Sequence, residues 1–373
     1  MTVTNTGKPK VCVISDDLSG PPDEGVKKFT WEISRALAEM TEIRVIATKG
    51  PVQLPGVRLV PTSKTFLTYR LRRELAAFGP DLILYAARGS ATFFSILRAR
   101  LLQTYSPRAR VAMLALQTRY HRPWQRPVLR LLAPGPLCAQ SQPNKIYLEG
   151  LGLDCMLLPS GIDTRTFAPL PEPARSELRG IYGLDASRPV VLHVGHLVRG
   201  RRVEVLGDLA RRGLQAVLVV SSSMAQDDEL GRELEAAGVK LIRDYVPRVE
   251  SLYQMADCYL FPVESTDNAI EVPLSVLEAM SCDLPVATTK FGGLVELFGE
   301  GPHQALRFCS SREELLQATI QLAAERPGGN RALVGRYSWS RIAEMLLERC
   351  LHRGAEAGVQ NRSGQALQEV REA

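Results

Sequence analysis

The residues whose types and spacing could most plainly do chemistry lie in Phe261 to Gly293, FPVESTDNAIEVPLSVLEAMSCDLPVATTKFGG. A strand ends at Phe261, and a loop carrying Glu264, Asp267 and Glu271 follows it. Pro273 stands where the first helical position should be, which suits its fixed φ and missing N–H. The helix beyond is apolar at Leu274, Val276, Leu277, Ala279 and Met280, and Glu278 lies inside that run. A carboxylate among core-facing residues is costly unless it meets hydrogen-bond donors. Sugar hydroxyls are such donors, and a ribose diol offers two to one carboxylate. The competing reading is a solvated glutamate on the outer helix face.

A second cluster occupies residues 193–206, HVGHLVRGRRVEVL. A strand ends in Gly195, and a turn carries His196, Arg199, Arg201 and Arg202 before a helix starts near Val203. A helix N-terminus with several cations beside it is a competent diphosphate site. An exposed basic turn is the plainer alternative. A third candidate is Gly25, after the first strand in DEGVKKFTWEISRAL, where a glycine lets backbone N–H groups approach a ligand or simply makes a turn.

Together these segments resemble the signature of family 4 glycosyltransferases. That pattern has a Glu in the loop, seven residues, then a Glu on the helix within Leu-Glu-Ala-Met, and Glu278 matches the helical Glu. The strict loop position holds Ile270, and the nearest carboxylate, Glu271, is displaced by one. The family's Gly-Arg, four residues, Lys-Gly appears with His196 at the Arg position and Arg201 at the Lys position. Of the family's glycine pair Gly25 is kept, with Glu24 in the other place. PSGIDTRTF, FGGLVE and YSWSRIAEMLLE extend the resemblance over residues 11–352.

The resemblance implies a two-domain GT-B fold and a metal-independent, retaining transfer from a nucleotide diphosphate sugar. Residues 1–168 would bind the acceptor and 169–339 the donor, with 340–373 packing back on the first domain. Glu278 would take the ribose and Glu271 the donor sugar, with Asp267 and Glu264 as substitutes. Arg201, Arg199 or Arg202 and the amides of Gly292 and Gly293 would stabilise the charge gathering on the leaving diphosphate, with His196 sharing in it. No cofactor beyond the donor substrate is called for, and no carboxylate cluster demands a metal.

The elements that must position these residues alternate. Strands are expected at Val11–Ser15, Ile43–Thr48, Leu82–Tyr85, Arg110–Leu116, Val190–Val194, Ala216–Ser221, Lys240–Arg243, Cys258–Phe261 and Pro285–Thr288. Helices are expected between them, at Lys27–Met40, Phe66–Phe78, Ala91–Gln103, Val203–Arg211, Asp228–Ala237, Val249–Met255 and Leu274–Ser281, then at Ser311–Ala324 and Ser338–His352. Such alternation implies doubly wound α/β domains, with parallel sheets and ligands at the strand C-termini. Proline-rich Pro159–Pro173 reads as the interdomain linker, and the polar stretch from Gly354 as a poorly ordered tail.

The whole chain bounds the rest. At 373 residues, two domains are the default. No apolar run is long enough to cross a bilayer, the start lacks a signal-peptide pattern, and seven scattered cysteines fit a reduced cytoplasm. No Gly-x-Gly-x-x-Gly follows a strand, against a nicotinamide oxidoreductase, and nothing resembles a phosphorylase cofactor-lysine segment. A non-catalytic, nucleotide-sugar-binding GT-B-like subunit is the alternative, prompted by the altered loop Glu and His196.

Residues 1–170 hold 23 Lys and Arg against 12 Asp and Glu, so the acceptor half carries the basic excess. An anionic or lipid-linked acceptor fits it, and nucleic acid does not for want of a recognition motif. Arg119, His121, Arg122, Arg126 and Arg130 flank Trp124 in a loop with a short amphipathic helix. That suits peripheral contact with the inner face of the plasma membrane, or, as plainer readings, a soluble anionic acceptor or a solvated loop.

Overall fold

The computed structural model describes residues 7–51, 54–132, 134–221, 226–267 and 269–352. The tail expected from Gly354 lies outside them. The first unit runs β1 (Lys10–Ser15), α1 (Gly25–Met40), β2 (Glu42–Ala47), β3 (Val57–Leu59), α2 (Tyr69–Phe78), β4 (Leu82–Ala86), α3 (Phe93–Tyr105) and β5 (Arg110–Ala115). It continues with α4 (Gln125–Leu132), β6 (Leu137–Ala139), α5 (Gln142–Gly150) and β7 (Cys155–Leu157).

The second unit runs α6 (Glu172–Ile181), β8 (Val190–Gly195), α7 (Val205–Arg211), β9 (Gln215–Val220), α8 (Asp228–Ala236), β10 (Lys240–Ile242), α9 (Glu250–Met255) and β11 (Cys258–Phe261). Then come α10 (Leu274–Ser281), β12 (Val286–Thr289), α11 (Leu294–Phe298), β13 (Leu306–Cys309), α12 (Arg312–Glu325), α13 (Asn330–Val334) and α14 (Trp339–Leu347).

The strands make two parallel sheets, ordered β3-β2-β1-β4-β5-β6-β7 and β10-β9-β8-β11-β12-β13. Helices cover both faces, so central strands such as β4 are buried along their whole length. Strand order reverses between β1 and β4 in one sheet and between β8 and β11 in the other. Crevices form at such reversals beyond the strand C-termini. The loops after β8 and β11 are the two segments that carried the sequence signals.

Helix α14 returns to the first unit: Trp339 meets Phe29 of α1 edge-on, with ring centroids 5.2 Å apart. Beyond it, Cys350 accepts a hydrogen bond from Arg110 Nη1 at 2.9 Å. Every expected strand and helix is present, with ends shifted by up to a few residues, while β3, β6, α5, β7, α6, α11, β13 and α13 were not expected.

Residues 158–171 connect β7 to α6, so α6 takes up only the last two residues of the expected linker, with Pro171 at its N-cap and Pro173 in its first turn. Its buried face is charged. Arg179 donates to both oxygens of Asp257 at 2.7 Å, Arg175 donates to one at 2.9 Å, and Val190 N donates to the other at 2.8 Å. The guanidinium Nε atoms donate to the carbonyls of Gln254 and Met255, so the arginines are satisfied on all sides. A hydrophobic period cannot reveal such a helix.

Asp257→Ala would strand two buried guanidiniums and should destabilise the chain by about 3–5 kcal/mol. Chemical denaturation measures this, and a loss below about 1 kcal/mol, the worth of an exposed pair, would contradict the packing described.

Candidate functional site

The basic turn is built on a glycine. Beyond β8 the chain makes a single 3-10 turn at Arg199–Arg201, and Arg202 takes a left-handed conformation with φ +57 before α7 begins. A Cβ on Gly195 would lie 2.6 Å from Arg201 Nη1 and 2.9 Å from His193 Nε2. Glycine therefore lets the guanidinium lie across the strand end. Arg201 is only 7% exposed, and burial lowers its pKa to about 10 against the opposing pull of Tyr259 and Glu24. It is still a cation at pH 7.

The two neighbouring histidines are not. His196 is pushed down to about 4, by burial first and by Arg201 second. His193, fully buried within β8, is pushed to about 3 for the same two reasons in the same order. Its Nδ1 lies 2.8 Å from the Leu260 carbonyl and so carries the proton. Positive charge at this strand end is concentrated on Arg201, with Asp23 and Glu24 of the β1–α1 loop as the opposing field. Glu24 also caps α1, accepting from Val26 N and Lys27 N at 3.2 Å.

The remaining arginines of the turn divide. Arg202 pairs with Glu264 of the acidic loop and stays beside it. Arg199 turns instead to α8, where Glu233 lies at 2.7 Å and Asp227 and Glu229 each at 3.6 Å. Three carboxylates thus hold Arg199, the residue expected at the diphosphate, on the α8 side of the turn.

The acidic loop is stitched to the first unit. Glu271 is fully buried, with Oε1 accepting from Thr118 Oγ1 and Oε2 from Asn144 Nδ2 at 3.4 Å. Burial raises its pKa, and hydrogen bonds led by that of Thr118 oppose the rise. Glu271 N donates to Leu116 O at 2.9 Å, Val272 N to Gln140 Oε1 at 3.0 Å, and Ser160 Oγ to Val272 O at 2.7 Å. Asp267 meets Arg119 at 2.9 Å.

The carboxylate displaced by one position therefore faces across the domain junction, towards Thr118 and Asn144 of the first unit. Ile270 occupies the strict loop position, 3.2 Å from where a Cβ on Gly25 would stand. The Gly293 amide, expected at the diphosphate, donates to the Glu271 carbonyl at 2.9 Å. A Cβ on Gly293 would stand 2.4 Å from the Gln140 carbonyl, so only glycine fits this junction. Neighbouring Gly292, at φ +51, makes the turn that brings it there.

Glu278 lies where the sequence argument put it. It is 4% exposed, which excludes the solvated outer face, and its carboxylate has two donors. Tyr253 Oη donates at 2.8 Å, and Lys28 Nζ of α1 reaches across the junction to within 2.6 Å. A cavity of about 110 Å³ opens beside this pair, lined by Thr166, Phe167 and Leu274 among others. Lys28 also stands over the Phe167 ring, 5.3 Å from its centroid.

Sequence reasoning missed Thr118, Asn144, Lys28, Tyr253 and His193. Only His193 left a signal, as a titratable residue inside an otherwise apolar strand. Among the described residues no three His, Cys, Asp or Glu are grouped to hold a metal ion, and no helix is long and apolar enough to cross a membrane.

Residues 188–325 match the family model described as Glycosyl transferases group 1. The chain is 27% identical over 217 residues to the alpha-maltose-1-phosphate synthase of Mycolicibacterium smegmatis, an alignment covering 51% of this chain and 54% of that one. It is 27% identical over 212 residues to the GDP-mannose-dependent alpha-(1-6)-phosphatidylinositol monomannoside mannosyltransferase of the same organism, covering 51% and 55%. The chain thus spans about half the length of the curated relatives it matches. Sucrose-phosphate synthase from Thermosynechococcus elongatus superposes with a TM-score of 0.72 at 18% identity, over 93% of this chain and 100% of that one. The fold is GT-B, two Rossmann-like α/β domains flanking a cleft.

Proposed function

We propose that the protein transfers a sugar from a nucleotide diphosphate donor to an acceptor hydroxyl, with retention of anomeric configuration. The observation that carries this is the pairing of two buried groups in one domain: Arg201 at the end of β8 and Glu278 on α10. Burial raises the pKa of the Tyr259 hydroxyl, with Glu278 raising it further and Arg201 lowering it, so both groups act on that hydroxyl. A cation and a carboxylate so placed suit the diphosphate and the ribose of one ligand.

In this reading the diphosphate gathers negative charge as the glycosidic bond breaks, and Arg201 stabilises it from a site where little solvent screens the interaction. Neutral His196 acts as a hydrogen-bonding partner rather than as a charge. Arg202, held by Glu264, serves as a second cation, and the helix α11 turn at Gly292–Gly293 supports the loop. The acceptor hydroxyl attacks from the face the diphosphate leaves, and the leaving phosphate takes its proton. The fixed cation supplies the charge stabilisation without a metal.

The names of the relatives extend the reading to substrates. One makes a sugar phosphate and another glycosylates a phosphatidylinositol glycoside with GDP-mannose, so a phosphate-bearing acceptor is proposed here too. The excess of cations in residues 1–170 supports an anionic acceptor at the first domain, inside the cytoplasm. The second reading, a non-catalytic nucleotide-sugar-binding subunit, is favoured by one observation, the commitment of Glu271 to Thr118 and Asn144.

Incubation with a panel of radiolabelled UDP, GDP, ADP and dTDP sugars in EDTA separates the two. Slow release of free sugar from one donor is expected, and saturable binding with no release would leave the subunit reading. Glu278→Gln should weaken donor binding by about 1.5–3 kcal/mol, the range for a charged hydrogen bond. Unchanged affinity would reject the ribose assignment. Arg201→Ala should lower turnover on the order of 10²–10³-fold, with Arg201→Lys recovering part of it. A crippled Arg202→Ala beside a normal Arg201→Ala would move the diphosphate contact to Arg202.

A further inference from the structure

From Leu82 to Leu148 the chain carries ten Lys and Arg and not one Asp or Glu. The helices of this stretch, α3, α4 and α5, pack against one side of the first domain's sheet. Helix α4 is the unusual part. It is anchored to the core by Leu129, which is fully buried, with Leu132 packed beside it. That core contact already accounts for the helix. Yet helical spacing places Trp124, Val128 and Leu131, at i, i+4 and i+7, on a second apolar stripe that faces outward. Their exposures are 60%, 37% and 81%.

A third stripe holds Arg126 and Arg130, with Arg122 just ahead of the helix, and all three are exposed. Among the described residues none of the three pairs with a carboxylate. The apolar stripe also continues beyond α4. Trp124 packs on Phe93 of α3 at 5.7 Å between centroids, and the adjoining Phe94 is 65% exposed. A fold that needs only Leu129 and Leu132 from this helix has no use for an exposed Trp, Phe and Leu.

We propose that this face docks peripherally on an anionic lipid bilayer, with Trp124, Leu131 and Phe94 entering the headgroup boundary and Arg122, Arg126 and Arg130 meeting the lipid charge. The chemistry fits that partner closely. A short helix with apolar and cationic stripes and no acid lies in a membrane interface, and a negative leaflet attracts clustered arginines. A purely electrostatic partner, such as a nucleic acid, would not require the apolar stripe. The inference stands apart from the sugar-transfer reading, since neither Arg201 nor Glu278 takes part.

Co-sedimentation tests it, using the full chain with vesicles of phosphatidylcholine alone or with one third phosphatidylserine. Binding is expected only to the mixed vesicles, and it should fall as salt is raised. The Arg122→Ser, Arg126→Ser, Arg130→Ser triple variant should bind on the order of 100-fold more weakly. Trp31 is partly buried and Trp339 nearly fully so, which leaves Trp124 to report by fluorescence. Its emission should shift to the blue on vesicle addition, and Trp124→Phe should abolish the shift. All these residues lie on the surface, so unchanged melting temperatures will establish that the variants are folded. No sedimentation with anionic vesicles at low salt would overturn the proposal, as would equal binding by the triple variant. Binding to a single-stranded oligonucleotide without binding to vesicles would overturn it too.

Discussion

A buried carboxyl group, that of Glu271, helps to tie the two domains together. Glu271 belongs to the second domain, but the side chains that satisfy it, Thr118 and Asn144, belong to the first. A buried carboxyl group is tolerable only while its hydrogen-bond partners stay in place. Opening the cleft at this point would part Glu271 from them. The same loop is held at Leu116, Gln140 and Ser160 through its backbone, so it enters the cleft in one conformation. Glu264, Asp267 and Ile270 inherit their positions from that anchorage.

Charge across the cleft follows the same logic. Burial keeps His193 and His196 neutral, Arg199 and Arg202 are paired with carboxylates, and Arg201 is the buried cation at this strand end. A guanidinium in a dry site is a stronger and more directional partner for a phosphate than a solvated one. At the other end, Lys28 from the first domain meets Glu278. A ribose that engages Glu278 must share that carboxylate with Lys28 or displace it. In the proposed site, donor binding would thereby be linked to the contact between α1 and α10, across the same junction that Glu271 spans.

Much of this was legible in the residues. The strand–helix alternation is written in short apolar runs, and the cleft follows from two switch points. A Glu inside an apolar helix announced a buried carboxylate, and Glu278 is one. The failures have physical causes. Helix α6 buries arginines, so its period is invisible to hydrophobicity. Strands β3, β6 and β7 are three residues each, too short to stand out from the loops around them. The resemblance implied the donor sugar for Glu271, and sequence spacing gives proximity but not the side of a loop a residue faces, so it did not show the contacts with Thr118 and Asn144. The partners Thr118, Asn144 and Lys28 are remote in sequence, and only the folded chain brings them in.

The central claim is that Arg201 and Glu278 form one site for one nucleotide diphosphate. Isothermal titration calorimetry of the full chain in EDTA, with UDP, GDP, ADP and dTDP in turn, tests it most directly. One nucleotide should bind with a stoichiometry of one per chain, and Arg201→Ala and Glu278→Gln should each weaken it. Their combined loss should differ from the sum if both grip the same molecule. Absence of binding by all four, or binding indifferent to both substitutions, would contradict the account.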